Sequence, residues 1–501
     1  CDKPFWLKIV GVAPQACGAM LLDTVLLRRV IVQSIHNGLS QLGLVLINFV
    51  TILFVSRLCD SDTLGGVGVG SMLYNIMGLS LGIGLNSGLD TLVSQSNGAG
   101  AYRQSGEHFQ RALVVSSMVA IPAFVVLGNT ENLMLALGQD PRIATCAGDY
   151  VWGTIPSLWP MYVSSAVNTY LRAQQLAEAT AYVTWVSNAF HVGSCYVFLH
   201  CLRMGAFGAG LAYSATQVLS CCILVGYVHL VRPGVTKESW IAWDLRAATS
   251  QLRHFLDLSV PCAVLIWAEW WCAEVMTLLA GYLGVVALAA HSSVLQIFVL
   301  LYMSLGGVSC AAAALVGNAI GAGSPENARR SAFAAIVVAS IVCIFVDCGL
   351  AAVVDTIPSI LTNDEALRRQ IKPLLCILLV VVPLDALQCT IDGILRGLGK
   401  QATAFRIKLC CMWGIRVPIA VLLGFKLGLG VEGIWWGSAS GLGATTAIYI
   451  WYVQRMNWDE EVSACDFRYK RFTPEFDSPW TRTPIMRFGE FFDIAEGVNH
   501  C

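Results

Sequence analysis

The chain reads as an all-α polytopic membrane protein, with twelve transmembrane helices in two homologous six-helix bundles. Three observations predict this. Hydrophobic residues make up 56% of the 501 positions and charged residues only 13%, against about 25% charged in an ordinary soluble domain. Runs of mostly apolar residues recur at the length of about 20 that a bilayer-crossing helix needs. Landmarks in the first half of the chain also return, at near-constant spacing, in the second.

The first six runs lie near 31–55, 64–94, 112–135, 150–171, 180–201 and 208–231. The second six lie near 255–280, 286–318, 331–356, 373–395, 405–426 and 430–454. Several hold Gly or Pro in their interiors, which membrane helices tolerate better than soluble ones. Residues 1–30 form an N-terminal segment whose apolar stretch, 9–27, reads as an interfacial helix or an early start of the first span. No cleavable signal peptide stands out. The N-terminal bundle then occupies 31–232, a polar cytosolic linker 233–254, the C-terminal bundle 255–455, and a polar, non-membrane, cytosolic tail 456–501.

The repeat is specific. "SNGAG" (96–100) and "AIGAG" (319–323) stand 223 residues apart, as do Pro160 and Pro383, Gly205 and Gly428, and Gly210 and Gly433. Leu171-Arg172 returns as Leu395-Arg396 at a spacing of 224. Such self-similarity marks two copies of one unit. Six is even, so both copies enter the membrane the same way round, related by an axis along its normal, and cargo sits between them near the midplane.

Basic residues orient the bundle. With the N-terminus cytosolic, inner loops hold Arg103, Arg111, Arg172, Arg232, Lys237, Arg246, Arg253, Arg329, Arg330, Arg396, Lys400, Arg406 and Lys408. Outer loops hold Arg57, Arg142, Arg203, Arg368, Arg369, Lys372 and Lys426. This bias predicts cytosolic termini, with the 355–372 loop dissenting.

Much chemistry is excluded. Net charge is −1, so no bulk basic surface calls for nucleic acid. The 19 cysteines include no C-x-x-C and mostly sit in apolar runs as small buried hydrophobes. Eight scattered histidines give no H-E-x-x-H, so no metal site is expected, nor an enzyme's clustered nucleophile and base. "GGVGVG" (65–70) opens an apolar helix with no strand before it and reads as close helix packing. "GILRGLGKQ" (393–401) misses the phosphate-loop spacing. No nucleotide or other cofactor site is expected, so this chain has no ATP drive; if it pumps, it uses an ion gradient.

The informative residues are charges inside apolar runs: Glu269, Glu274, Asp385, Asp392 and Arg416. A central acidic residue costs about 2.5–3.5 kcal/mol on insertion scales, so these mark an ion or substrate path unless each pairs with a polar neighbour. Glu269 and Glu274 are five residues apart, about 140° around a helix and about 7.5 Å along it; they flank one lumen without sharing a narrow stripe. Asp385 follows Pro383, where a kink frees backbone groups. Trp270 and Trp271 read either as packing or lipid-facing aromatics or as a face for a flat cation. Asp90, near the inner end of the second span, suits a helix-terminal or a transport role equally. Asp392 and Arg416 lie on adjacent antiparallel runs. Counting about 1.5 Å per residue from a turn near 402 puts their depths about 6 Å apart, which an Arg side chain bridges. They are therefore expected to form a buried ion pair; the rival is an outward-snorkelling Arg416 with Asp392 as an extra proton site.

With these residues in view, the chain resembles the multidrug and toxin extrusion (MATE) family, eukaryotic branch. The matching stretches are "GLDTLVSQSNGAG" (88–100), "AEWWCAEVMTLLAGYLG" (268–284), "YMSLGGVSCAAAALVGNAIGAG" (302–323), "ILRGLGKQ" (394–401) and "GVEGIWWG" (430–437). The resemblance implies two six-helix bundles around a central V-shaped cavity and export of organic cations or xenobiotics against protons. It also implies that Glu269 and Glu274 are the paired glutamates of the seventh span and Asp385 the acidic residue of the tenth. Many bacterial members carry an aspartate in the first span, where this chain offers Thr51, so proton coupling is expected in the C-terminal half. Small neutral residues of the family are replaced here by Asp392 and Arg416.

The expected function is an antiporter that exchanges protons for organic cations, drugs or toxic metabolites by alternating access. The alternatives are a lipid or oligosaccharide flippase of the related superfamily, or coupling to Na+ in place of H+. Expected partners are a small organic cation and the bilayer, with the chain a monomer in a plasma, vacuolar or vesicular membrane.

Overall fold

A computed structural model of the chain describes residues 24–472, and these are helical throughout apart from short turns. The N-terminal half holds six rods: α1 (Thr24–Leu58), α2 (Ser61–Gly98), α3 (Tyr102–Gly128), α4 (141–173), α5 (177–201) and α6 (Gly205–Leu230). The C-terminal half holds α7 (Leu252–Tyr282), α8 (Val285–Gly321), α9 (Pro325–Val353), α10 (Glu365–Gly397), α11 (Gln401–Lys426) and α12 (Gly430–Arg455). A further helix, α13 (Trp458–Phe472), follows. Among the described residues nine of these rods are long and apolar enough to cross a membrane. α4, α5 and α12 are the remaining three.

Local sequence sets the boundaries. Asp60 caps α2 by accepting from the Thr63 amide at 3.2 Å. Asp140, Ser324 and Asp364 cap α4, α9 and α10, and in α4 and α9 a proline fills the first helical position. The repeated glycine motifs end α2 and α8: Gly100 and Gly323 adopt φ of +70° and +68°, a left-handed stop that glycine reaches without strain. α1 is already helical at Thr24, the first described residue, seven residues ahead of the expected first span. The predicted 9–27 interfacial stretch lies almost wholly outside the described residues, as does the tail beyond 472. Of the predicted polar tail, 458–472 is not a loose extension. Trp458, Val462 and Cys465 of α13 pack into the core beneath α8 and α9.

Each half has its own apolar core. In the N-terminal half one cluster gathers Tyr74, Tyr150 and Tyr162, another Leu89 and Tyr170, with Phe255 of α7 packed into it. In the C-terminal half one surrounds Ile391 and Tyr449 and another Leu374 and Trp435. The linker folds onto the first half. Arg111 of α3 donates from Nε to Ser250 O at 2.8 Å, and Gln110 to Ala242 O at 2.9 Å.

The halves interlock. Gly84 and Gly88 of α2 lie against Ala263 and Ser259 of α7, while Gly307 of α8 lies against Ser34 and Gly38 of α1. Gly84 and Gly307 are 223 apart, so the first helix of each half packs on the second helix of the other.

At the Gly98/Gly321 end this exchange becomes polar. Gln95 Nε2 donates to Gly397 O at 2.9 Å, and Asn318 Nδ2 donates to Ala173 O at 2.8 Å. Gln95 and Asn318 are 223 apart and Ala173 and Gly397 are 224 apart, so the two bonds are mates under the repeat. Gly98 and Gly321 sit face to face with the backbones at Asn318 and Gln95, again as mates. Lys400 Nζ meets Glu461 Oε1 of α13 at 3.0 Å, and Cys465 Sγ approaches Gln95 Oε1 at 3.4 Å. The tail helix therefore covers this junction.

Candidate functional site

Four helices of the C-terminal half bring charge together inside the bundle. Glu269 comes from the middle of α7, Asp385 and Asp392 from α10, Lys408 from α11, and Tyr449 from α12. Lys408 Nζ forms an ion pair with Glu269 Oε1 and lies 2.7 Å from Asp392 Oδ2. The Tyr449 hydroxyl donates to the other oxygen, Asp392 Oδ1, at 2.7 Å. Lys408 is only 6% exposed. A buried ammonium with two carboxylate partners meets the requirement that an intramembrane charge be paired.

This corrects two expectations. Lys408 is not an inner-loop residue: α11 begins at Gln401, so Lys408 stands two turns inside it, about 10 Å along the axis. Asp392 does not pair with Arg416. The turn between α10 and α11 falls at 398–400, earlier than expected, which brings Lys408 nearly level with Asp392. α11 also passes through a π-turn at Met412–Arg416. One extra residue in a turn rotates the remainder of the helix by about 100°, and Arg416 Nε donates instead to Ser438 Oγ of α12 at 3.2 Å.

Asp385 is 6% exposed and lies among the charges of Lys408, Glu269, Arg416 and Asp392. Among the described residues, no hydrogen bond or ion pair engages it. Tyr302 of α8, a fifth helix, is within electrostatic range of Glu269, Lys408 and Asp385. Glu274 is half-buried on the next turn and a half of α7, apart from the lysine-centred group and likewise without an ion pair among the described residues. Trp270 is half-buried beside Glu269; Trp271 is exposed and meets Trp267 edge-to-face at 5.9 Å.

Asp90 belongs elsewhere. It is buried at the polar junction of the halves, 3.7 Å from Arg172 of α4 and 3.8 Å from Arg396 of α10. Arg172 and Arg396 are themselves repeat mates, so one carboxylate of α2 bridges corresponding arginines of both halves. Arg396 also donates to Ser309 Oγ at 2.9 Å.

The N-terminal half has a polar centre without carboxylates. His191 of α5, fully buried, lies 2.9 Å from Thr51 Oγ1 of α1 through Nε2 and 2.9 Å from Thr216 Oγ1 of α6 through Nδ1. Sequence reasoning passed over Lys408, Tyr449, Tyr302 and His191. Only Lys408 had a readable signal, its near-equal distance with Asp392 from the turn. The others are single polar residues in apolar runs.

The comparisons agree with this architecture. The MatE family's sequence profile matches residues 38–197 and 261–422. The two matches begin 223 residues apart, the spacing of the internal repeat. Multidrug and toxin extrusion protein 2 of Mus musculus is 30% identical over 430 residues, 86% of this chain and 74% of that protein. Multidrug and toxin extrusion protein 1 of Homo sapiens is 29% identical over 432 residues, 86% and 75% of the two chains. The crystal structure of the eukaryotic MATE transporter AtDTX14 superposes with a TM-score of 0.81 at 24% identity, covering 90% of this chain and 99% of that one. Two copies of one six-helix unit, interlocked through their first and second helices and matched by that profile in both copies, mean that this chain belongs to the MatE family of multidrug and toxin extrusion transporters.

Proposed function

We propose that the chain is a secondary antiporter that exports organic cations, drugs or toxic metabolites in exchange for protons. The observation that carries this is Asp385: a carboxylate inside the C-terminal half, beside Glu269 and Asp392, engaged by no hydrogen bond or ion pair among the described residues. Such a group holds a proton or a cation but not both, and that exclusivity is the coupling. Protonation discharges the site and releases the cation outward; loss of the proton to the cytosol restores the anion. Glu269 shares the task by exchanging its lysine partner for proton or cargo, and Glu274 lies within reach of the same lumen. Alternating access then comes from one half rocking against the other, in a bilayer crossed twelve times, with the Asp90 junction at the cytosolic side. The chain works as a monomer in a plasma, vacuolar or vesicular membrane.

Reconstituted vesicles test this. Efflux of a fluorescent organic cation should follow an imposed pH gradient at constant Na+, and Glu269→Gln or Asp385→Asn should abolish uphill movement while the protein stays folded. Transport that follows a Na+ gradient alone would refute proton coupling. Parent-rate transport with unchanged pH dependence in both variants would refute the site.

A further inference from the structure

We infer that Lys408 is a tethered cation that competes with the cargo for Glu269 and so sets the transporter's affinity for cationic substrates. The inference rests on the proposed antiport only in taking the C-terminal half as the place where cargo binds. Its warrant is the geometry of the ammonium. Lys408 Nζ reaches Glu269 on α7 and Asp392 on α10 together, from a nearly buried position on α11. An organic ammonium seeking Glu269 competes for a carboxylate whose Oε1 the lysine already holds.

The two carboxylates are not equivalent. Asp392 is held on its other oxygen by the Tyr449 hydroxyl, which Ala404 O also approaches at 3.0 Å, so α12 and α11 fix its position. No second partner holds Glu269 among the described residues. When cargo arrives, the lysine can withdraw onto Asp392 and keep its charge paired, leaving Glu269 to the newcomer. Asp392 therefore serves as the parking place that makes Lys408 a competitor and not a permanent plug. The remaining groups that face this ammonium, Tyr302 from α8 and Asp385 from α10, offer it no closer anchor.

Specificity follows from competition. A cargo with a single diffuse positive charge, shielded by alkyl or aryl groups, forms a weaker contact with Glu269 than the compact ammonium does. A primary or secondary amine, which donates N–H bonds as lysine does, displaces Lys408 more readily. The site is thereby biased toward amines over quaternary cations.

The test is equilibrium binding to the purified, full-length protein without any gradient, which separates it from the transport reading. Lys408→Met alone strands two carboxylates and is prone to unfold, so the working variant is Lys408→Met with Asp392→Asn, which removes one charge of each sign. Binding of tetraphenylphosphonium, a quaternary probe, should tighten by about tenfold, the loss of one charge-assisted competitor. Adding Glu269→Gln should erase the gain, and Lys408→Arg should keep the parent affinity. Unchanged or weaker binding, or a gain that survives Glu269→Gln, overturns the inference. If the parent moves no cation under any gradient yet the double variant gains Glu269-dependent affinity, the antiport reading falls and this one stands.

Discussion

Lys408 divides one positive charge between Glu269 and Asp392, so the stability of the site depends on which partner is removed. Lys408→Met leaves two partly buried anions and should cost up to about 3–5 kcal/mol. Lys408→Met with Asp392→Asn should recover most of that loss. Asp392→Asn combined with Arg416→Ala should instead be additive within about 0.5 kcal/mol, because those side chains share no partner. Melting temperatures of the variants in detergent, arranged as two double-mutant cycles, check both statements; coupling between Asp392 and Arg416 would contradict the observed pairing. The costly charges themselves were legible in the sequence, since any carboxylate deep in an apolar run announces itself. Their partners were not. Choosing Lys408 over Arg416 required the turn's position to within three residues and a π-turn that no spacing rule reports, and at a helix surface such shifts decide which side chain faces inward.

At the level of helices, the junction of α2 and α8 joins the halves through glycines as much as through hydrogen bonds. Gly98 and Gly321 each face the other helix's backbone so closely that a methyl group would collide with a carbonyl. Gly98→Ala should therefore force this end apart at a cost of about 1–3 kcal/mol. A cost of that size multiplies the population of the separated state by about five- to 150-fold. Cys465, 2% exposed and seated against Gln95, reports the change: maleimide labelling mapped by mass spectrometry should rise at this cysteine in Gly98→Ala and in Gly321→Ala alike. Equal effects are expected because the positions are repeat mates, and a response from one only would deny the symmetry. The repeat was readable because the glycines and arginines that carry it do the same job in each half. The docking of α13 was not, because its polar composition resembles a solvated tail, and among its described side chains three apolar ones, Trp458, Val462 and Cys465, anchor it.

For the molecule as a whole, the carboxylate of Asp90 is the point where both halves meet on charge, through Arg172 on one side and Arg396 on the other. Asp90→Asn should weaken closure there and slow gradient-driven flux by about tenfold, the worth of one charge-assisted contact. Equilibrium cation binding should stay near the parent value, because the proposed cargo site lies elsewhere. Flux and binding measured on the same preparation decide it; weakened binding with normal turnover would make Asp90 part of the cargo site. Sequence reading left Asp90 between those two roles, since a burial partner contributed by the opposite half cannot be seen from the periodicity of one helix.

The matched bonds from Gln95 to Gly397 and from Asn318 to Ala173 end on main-chain carbonyls. Amide donors and peptide acceptors neither gain nor lose protons across the physiological range, and they bind no alkali ion when already engaged. This part of the junction is thus indifferent to whichever ion the proposed cycle uses. Under the proposed antiport, a change of driving ion would require rebuilding the interior of one half while this junction is inherited unaltered.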